Sequence, residues 1–251
     1  MIKVEHISKS FGDHLVLDDI TATFERGKTN LIIGQSGSGK TVLTKICIGL
    51  FEPDSGVVTF DDRPFSNIKE KHKIDIRKDM GVLFQGGALF DSMNVEENVM
   101  FPLNMFTDMS YEEKLERVNF CLNRVNLKGI NHLATSELSG GMMKRVAIAR
   151  AISNSPKYLF CDEPNSGLDP VTSELIDGLI SEITEEYNMT TIINTHDMNS
   201  VLKIGQTINF IHKGKLWWQG DSKSVLQSDN KELDEFLFST ELTKRLKTFK
   251  K

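Results

Sequence analysis

The sequence has few cysteines, no long apolar run and no excess of positive charge, and each absence excludes a class of protein. Its three cysteines, Cys47, Cys121 and Cys161, lie far apart beside apolar residues and form no Cys-x-x-Cys pair. We interpret them as buried small hydrophobic residues, with a metal site or disulfide as the minor alternative. No uncharged run reaches twelve residues, whereas a helix needs about 20 apolar residues to cross a bilayer. The start, MIKVEHISKS, lacks the apolar core of a signal peptide. We therefore expect a cytosolic chain.

The composition is that of an ordinary globular protein. The chain has 251 residues, of which 39% are hydrophobic and 26% charged, and its net charge is -5. This length suits one α/β domain, or one domain with a subdomain. The pI of about 5.7 argues against bulk binding to nucleic acid.

Two kinds of β pattern divide the chain. Short β-type runs at residues 2–7, 15–24 and 56–60 predict an antiparallel N-terminal layer. Apolar runs at 29–33, 80–84, 158–161 and 190–194 alternate with helical patterns, which predicts a mostly parallel sheet flanked by helices. The runs at 208–211 and 216–218 predict a hairpin. Apolar residues predicted to share a helix face are Val42, Leu43, Ile46, Cys47 and Leu50; Leu115, Val118, Leu122 and Val125; and Leu175, Ile176, Leu179, Ile180 and Ile183.

A phosphate-binding loop is predicted where the strand pattern at 29–33 meets a helical pattern. This run matches G-x-x-x-x-G-K-[ST], in which glycines let backbone N–H groups wrap a phosphate chain and the helix N-terminus adds partial positive charge. Lys40 would reach the β- and γ-phosphates, and the Thr41 hydroxyl would ligate Mg²⁺. A plain glycine turn is the alternative, but strand and helix flank the run as the mechanism requires. The assigned residues are Gly34, Gln35, Ser36, Gly37, Ser38, Gly39, Lys40 and Thr41.

Two carboxylates follow the apolar run at 158–161. In open α/β sheets, ligands bind at the carboxyl ends of such strands. Asp162 would hold Mg²⁺, directly or through water, and Glu163 could polarise an attacking water as a general base. Paired acids also occur in solvated turns, so this interpretation depends on the phosphate-binding loop.

A second glycine-rich cradle precedes the small and apolar residues at 144–151. Ser139, Gly140 and Gly141 would open a helix there and offer free backbone amides to an anion. The chain thus has two phosphate-type cradles but only one lysine-bearing loop. We therefore expect the second cradle to serve a nucleotide bound to another copy of the chain, which requires a dimer.

Five motifs together resemble those of the nucleotide-binding subunits of ABC transporters, over residues 1–226. They are the phosphate-binding loop, Leu138-Ser-Gly-Gly, Asp162-Glu163, Ser166-Gly-Leu-Asp-Pro170 and Thr195-His196-Asp197, in the family's order and at similar spacings. The resemblance implies an α/β fold of the P-loop NTPase type, with a mostly parallel sheet, an antiparallel N-terminal β layer and a helical subdomain inserted at about 86–157. It also implies hydrolysis of ATP with Mg²⁺, by a domain spanning residues 1–228.

Further roles are implied by the resemblance, position by position. Phe11 would stack on adenine with Val16 nearby, and Asp169 would cross the dimer interface. Gln85 would reach Mg²⁺ and the attacking water, and His196 would bind the γ-phosphate and hold Glu163. The implied catalytic set is then Lys40, Gln85, Glu163 and His196, and the implied metal ligands are Thr41, Gln85 and Asp162. Two positions depart from the family's pattern: Met142 replaces the usual glutamine, and Phe11 the commoner tyrosine.

The stretch at 84–103 resembles the ATPase subunits of phospholipid transporters that work with MCE-domain lipid-binding proteins. It reads FQGGALFDS, then ENV and FPL. The resemblance implies a homodimer, peripheral on the cytoplasmic side of the inner membrane, with an MCE-type partner and no nucleic acid. A permease helix would contact Leu89, Phe90 and Met93, in a groove that also includes Val99, Met100 and Phe101. About half of these could instead complete the core of the insertion.

Other functions and one further segment complete the interpretation. The alternatives are an ABC ATPase acting in DNA repair or translation, a transporter ATPase for another solute, and a metabolic kinase. The first usually has two nucleotide domains or long coiled coils, and the last leaves Leu138-Ser-Gly-Gly unexplained. Residues 229–251 are assigned as a basic amphipathic tail, with five basic residues and no acid at 244–251 and Phe238, Leu242, Leu246 and Phe249 at helical spacing. It would be solvated, dock on the neighbouring ATPase or touch anionic lipid.

Overall fold

The computed structural model describes residues 1–238, so the basic run at 244–251 lies outside the described residues. The strands are β1 Ile2–Phe11, β2 His14–Phe24, β3 Thr29–Ile33, β4 Ser55–Phe60, β5 Arg63–Pro64, β6 Met80–Leu83, β7 Tyr158–Asp162, β8 Thr190–Thr195, β9 Thr207–His212 and β10 Lys215–Gly220. The α-helices are α1 Lys40–Cys47, α2 Glu70–Arg77, α3 Val95–Phe106, α4 Tyr111–Arg124, α5 Gly140–Ile152, α6 Pro170–Glu186, α7 Met198–Ile204 and α8 Lys231–Leu237. Short 3₁₀ helices cover Thr135–Glu137 and Val225–Gln227.

The larger sheet has six strands in the order β10-β9-β3-β8-β7-β6. All neighbouring pairs are parallel except β10 with β9, which form the predicted hairpin. Its central strands β3, β7 and β8 are buried on both faces, as their unbroken apolar runs require. In β3, for example, Leu31 and Ile33 pack in one core cluster and Ile32 in the other, because successive side chains point to opposite faces.

The smaller sheet is antiparallel, in the order β2-β1-β4-β5. Its apolar residues, among them Ile2, Phe24 and Phe60, join Ile32 and Phe160 of the larger sheet in one core. Helix α1 contributes to the same core. The predicted α/β fold with a mostly parallel sheet and an antiparallel N-terminal layer is therefore confirmed.

Three α-helices and one 3₁₀ helix lie between β6 and β7 and cover the other face of the larger sheet. Capping boxes start α3, with Asn94 and Glu97, and α4, with Ser110 and Glu113, because each pair satisfies two backbone N–H groups that a helix start leaves free. Helix α8 buries Leu233 and Leu237 in this core as well. The domain bounds drawn from the sequence stay predictions.

Two residues do not lie on the helix faces predicted for them. Leu50 is 58% exposed, because α1 ends at Cys47 and Gly49, at φ 77°, turns the chain away. Leu175 is 66% exposed although Ile176 of the same helix is buried. Helix α2 was not predicted, since its sequence EKHKIDIR is mostly charged. The prediction for the cysteines is confirmed: all three are buried and unpaired.

Candidate nucleotide site

The candidate site lies where four adjacent parallel strands end. The P-loop (residues 34–41) follows β3, His196 follows β8, Asp162 and Glu163 come at the end of β7, and Gln85 follows β6. In the sheet these strands are neighbours in the order β3-β8-β7-β6, and neighbouring strands lie about 4.8 Å apart. The topology therefore brings segments that are distant in sequence to one edge of the sheet.

The P-loop curves around its own lysine. Three of its glycines, Gly34, Gly37 and Gly39, have φ values of 150°, 78° and 108°, which residues with a side chain rarely adopt. A Cβ on Gly34 would lie 2.2 Å from the Ile211 carbonyl oxygen. Lys40 Nζ donates to the carbonyl oxygens of Gly34 at 2.7 Å and Gln35 at 3.0 Å. Burial lowers the pKa of this ammonium, and the carboxylates of Glu163 and Asp162 oppose that effect.

Two features of the P-loop fit a bound phosphate. The Ser38 hydroxyl is buried and has no hydrogen-bond partner within residues 1–238, so an anion oxygen would satisfy it. Helix α1 begins after Gly39 with no side-chain cap and no acid in its first turn, which leaves its first N–H groups free for a ligand. Gln35 and Ser36 are exposed, and Thr41 is half-buried.

The carboxylates are held from β8. Asp162 Oδ1 accepts a hydrogen bond of 2.9 Å from Asn194 Nδ2, and Asn194 Oδ1 accepts one of 3.0 Å from Thr44 of α1. The Glu163 backbone is in the left-handed region at φ 50°, which costs a non-glycine residue about 1–2 kcal/mol. Its N–H donates to the Asn194 carbonyl oxygen at 3.0 Å. The turn after β7 thus points two successive acids in different directions.

His196 and Gln85 flank Glu163. His196 Nδ1 lies 2.9 Å from Glu163 Oε1, and the imidazole is 68% exposed, so it can also reach a ligand. Gln85 is exposed, and its Nε2 lies 3.5 Å from Ser166 Oγ. The structure therefore brings His196 into direct contact with Glu163 and leaves Gln85 at the rim.

The Ser139 cradle lies on a different element. Ser139 caps α5, with its Oγ accepting from Met142 N at 3.3 Å. A Cβ built on Gly140 would lie nearest to Leu168, and one built on Gly141 nearest to Thr172. Neither glycine therefore faces the P-loop of its own chain. Asp169 caps α6 by accepting hydrogen bonds from Thr172 Oγ1 at 2.5 Å and from the N–H groups of Val171 and Thr172. These hydrogen bonds lower the pKa of Asp169, and the bond from the Thr172 hydroxyl has the largest effect.

The residues predicted to hold adenine lie on the β1–β2 hairpin. Phe11 is 45% exposed and its ring meets Phe51 edge-on at 5.3 Å. Val16 is half-buried, and its carbonyl oxygen lies 3.0 Å from a Cβ built on Gly39. Val16 thus reaches the P-loop, while Phe11 packs on Phe51.

The residues predicted for a permease contact divide between surface and core. Phe90 is 40% exposed and its ring packs against that of Phe101, with the centroids 4.7 Å apart and the planes tilted by 50°. Leu89 and Met93 are half-buried. Val99 and Met100 are buried in the core, so their predicted place in a groove is wrong. Their positions on α3 turn them toward α5 and the sheet.

Three polar residues that support the site were missed by the sequence interpretation. Asn194 links Asp162 to Thr44. Arg150 donates to the carbonyl oxygens of Gly87 and Ala88, both at 2.8 Å, and burial lowers its pKa. Asn98 is buried and bonds to Phe90 at both its N–H and its carbonyl oxygen. Arg150 and Asn194 stand within largely apolar runs, a signal of a buried polar residue, whereas Asn98 follows two glutamates and has no such signal.

The chain matches proteins of one family. The model of the ABC transporter family matches residues 17–166. The intermembrane phospholipid transport system ATP-binding protein MlaF of Haemophilus influenzae is 35% identical over 94% of this chain and 90% of that one. The methionine import ATP-binding protein MetN 2 of Bacillus licheniformis is 37% identical over 93% of this chain and 69% of that one.

A solved structure agrees with the fold. The dimeric post-hydrolysis state of the cassette MJ0796, bound to ADP and Pi, superposes with a TM-score of 0.81 at 30% identity, covering 88% of this chain and 99% of that one. No helix within residues 1–238 has the length and apolar character to span a membrane. With the matches to family, relatives and structure in agreement, the chain belongs to the ABC transporter family and is one of its ATP-binding, ATP-hydrolysing cassettes.

Proposed function

We propose that two copies of this ATPase close on ATP and drive phospholipid movement through a membrane permease. The observation that carries the ATPase chemistry is the juxtaposition of the Lys40 loop with Asp162, Glu163 and His196 at one sheet edge. In this proposal Lys40 binds the β- and γ-phosphates, and the free N–H groups of α1 and the Ser38 hydroxyl complete the cradle.

Glu163 is the proposed general base. Its carboxylate would accept a proton from the attacking water, a role that needs a group within hydrogen-bond reach of that water. His196, 2.9 Å away, orients this carboxylate and offers its exposed ring to the γ-phosphate. The strained backbone of Glu163 fits this role, since left-handed non-glycine residues concentrate at functional sites.

Mg²⁺ fits the oxygen donors at the same edge. The Thr41 hydroxyl, the Asp162 carboxylate and the Gln85 side-chain carbonyl are the hard ligands that Mg²⁺ prefers, and Mg²⁺ usually takes its other ligands from water and substrate phosphates. Asn194 holds Asp162 in place for this purpose. When bound, the metal would neutralise phosphate charge during hydrolysis.

The proposed homodimer follows from the orientation of the second cradle. Ser139, Gly140 and Asp169 are exposed, yet the nearest neighbours of Gly140 and Gly141 belong to α6 and the turn before it. A second copy could place its P-loop nucleotide over these free amides. Both sites of a two-fold dimer would then be composite, since a two-fold interface pairs the same patches reciprocally.

The phospholipid substrate is supported by the share of each relative's length that this chain covers. The Haemophilus protein is matched over 90% of its length, whereas the methionine-import protein has about a third of its length beyond the match. Their identities to this chain are nearly equal, so the second candidate is a transporter for methionine or another small solute. The stretch at 84–103 favours the lipid system, together with an MCE-type lipid-binding partner and a location on the cytoplasmic face of the inner membrane.

A path from the ATP site to the permease runs through the loop at 84–94. Gln85 stands at the site, and Phe90 lies five residues on, where Asn98 and the adjacent ring of Phe101 fix it. Arg150 holds the carbonyl oxygen of Gly87, whereas a Cβ on Gly86 would meet nothing within 4 Å. We therefore place the hinge at Gly86 rather than across both glycines, with the segment after it moving as one unit with α3 and α5.

Purification of the whole complex in mild detergent tests this function. We expect an integral-membrane permease and phospholipid to accompany the wild-type chain. Phe90→Asp should release the permease while ATP binding by the free chain is unchanged, because a carboxylate would be buried against apolar permease residues. Phe120→Asp is the matched control, since Phe120 is 45% exposed on α4 and Phe90 40%.

Two results would contradict parts of the proposal separately. A complex that keeps its permease with Phe90→Asp would remove the contact but not the ATPase. A permease that carries a soluble solute, with no lipid enriched, would replace the phospholipid substrate by the second candidate.

A further inference from the structure

A cavity of about 520 Å³ lies at the edge of the larger sheet opposite the ATP site. It is lined by the turn before β3, the turn between β4 and β5, the segments before β7 and β8, and α4. Because β3, β7 and β8 are parallel, their amino ends lie at this edge and their carboxyl ends at the nucleotide. Strand β7 has five residues, so about 17 Å separates the two edges.

The lining of this cavity is cationic. Its charged members are Arg26, Arg63, Arg117, Lys157 and a single acid, Asp61. Asp61 already accepts from Arg26 at 2.5 Å and from the Tyr158 hydroxyl at 2.7 Å. Outside the lining, Asp79 serves both Arg63 and Lys157, at 3.4 and 3.0 Å. Three of the four lining cations therefore pair with these two carboxylates, and the N-terminal ammonium also pairs with Asp61 at 2.5 Å.

Arg117 has no carboxylate at all within salt-bridge distance in the described chain. Its Nε and Nη2 donate to the carbonyl oxygens of Ser153 and Ile152 at 2.8 and 3.0 Å, and Nη2 also donates to Ser155 Oγ. These bonds cap the end of α5 and fix the guanidinium, while Nη1 keeps its donors free within residues 1–238. A positioned guanidinium with free donors is suited to phosphate.

The lining also includes Tyr187. The Tyr187 hydroxyl is shielded from solvent and has no hydrogen-bond partner among the described residues. Buried hydroxyls nearly always have one. Asn188 and Ser155 add further polar atoms, and Ile152 and Met189 add apolar surface, so the lining combines charged, polar and apolar groups as ligand sites do.

We propose that this cavity binds a small phosphate-bearing anion, at a site separate from the ATP site. The anion would lie between Arg117 of α4 and the pair Arg63 and Lys157. It would thereby tie the inserted helices to the antiparallel layer and to the amino ends of β7 and β8. The volume falls within the range of small-molecule sites, about 300–1,000 Å³, so an organic phosphate fits as well as inorganic phosphate.

Calorimetric titration of the full chain with inorganic pyrophosphate, without Mg²⁺, tests the site. Lys40→Ala protein is used so that the P-loop contributes least to the signal. We expect one saturable site whose Kd rises about tenfold with Arg117→Gln and similarly with Arg63→Gln, since a charge-assisted hydrogen bond is lost in each case. Lys128→Gln removes an exposed cation from the loop after α4 and should leave the Kd unchanged.

No saturable binding, or binding that Arg63→Gln leaves unaltered, would overturn the site. The Arg63 side chain is 45% exposed and its salt bridge to Asp79 is 3.4 Å long, so its variant decides the question if Arg117→Gln fails to fold. Tighter binding of citrate than of pyrophosphate would refute the phosphate class. A rise in Tm with pyrophosphate that both arginine variants abolish would support it, because ligands stabilise the state that binds them.

Discussion

The P-loop and the Ser139 cradle both offer backbone amides at the start of a helix, but they are built differently. The P-loop needs three glycines at positive φ, contains the buried lysine Lys40 and leaves α1 without a side-chain cap. At the second cradle, Gly140 and Gly141 have ordinary helical φ values, and Ser139 caps α5 with its own hydroxyl. One is a closed nest around an anion, and the other is an open helix end.

This difference indicates what each cradle can do alone. The P-loop supplies curvature, a cation and the unsatisfied Ser38 hydroxyl, so it can hold a phosphate within one chain. The Ser139 cradle lacks this curvature, and Arg145 of α5 donates to the Gly141 carbonyl oxygen at 3.4 Å rather than standing at the free amides as Lys40 does in the P-loop. Glycine is needed there for another reason, because a Cβ on Gly141 would lie 2.8 Å from Thr172. It can contribute only when another surface delivers the anion.

The largest expected effect comes from removing the proposed base beside the first cradle. Glu163→Gln should lower the turnover of ATP by about 10²–10⁴-fold, the usual contribution of general acid–base catalysis. ATP binding should persist, because the amide keeps the shape of the side chain. Phosphate release and equilibrium binding of ATP measure the two quantities.

Glu116→Gln is the matched control for this variant, since Glu116 is an exposed glutamate on α4. We expect it to hydrolyse ATP normally, and we expect Glu163→Gln protein to accumulate as an ATP-bound dimer in size-exclusion chromatography. Near-normal turnover by pure Glu163→Gln protein would refute the assignment of the base.

Mixing two inactive variants tests whether the cradles act across a dimer. Lys40→Ala damages the first cradle and Ser139→Arg the second. In a mixed dimer one composite site is intact and the other carries both changes. Random pairing should restore up to about a quarter of the wild-type activity if the two sites of the two-fold dimer act independently. A mixture as inactive as its components at every ratio, or full activity of a dilute monomer, would refute the shared sites.

Much of the site could be predicted because its motifs are local. The P-loop, the acids after β7 and His196 each follow an apolar strand pattern, and parallel topology then brings them together. The prediction of which residues share a helix face was less accurate near the ends of helices. Leu50 lies past the turn at Gly49, and the end of a helix depends on that turn rather than on apolar spacing.

The polar supports could not be predicted because their partners are distant in sequence. Arg150 lies 63 positions from Gly87, and Asn194 lies 150 from Thr44. The sequence around Arg150 or Asn194 does not indicate which residue either one binds. Val99 shows the same limit for apolar residues, since surface and core positions of α3 both read as hydrophobic and only packing separates them.

The smallest expected effect concerns the charge that the first cradle keeps buried. Burial lowers the pKa of Lys40 in the folded chain below its ordinary 10.5, so the unfolded chain binds this proton more tightly. The contribution of Lys40 to the free energy of unfolding must then rise with pH from the lowered value up to about 10.5, where the unfolded lysine also becomes neutral. Below that window the buried ammonium lowers stability in full. Lys40→Met removes the titration, so the wild-type value minus the variant value, from urea unfolding without nucleotide, should increase with pH across the window. Lys128→Met is the control for the loss of one exposed charge, and a Lys40 difference that stays flat or falls with pH would show that the ammonium is not destabilised by burial.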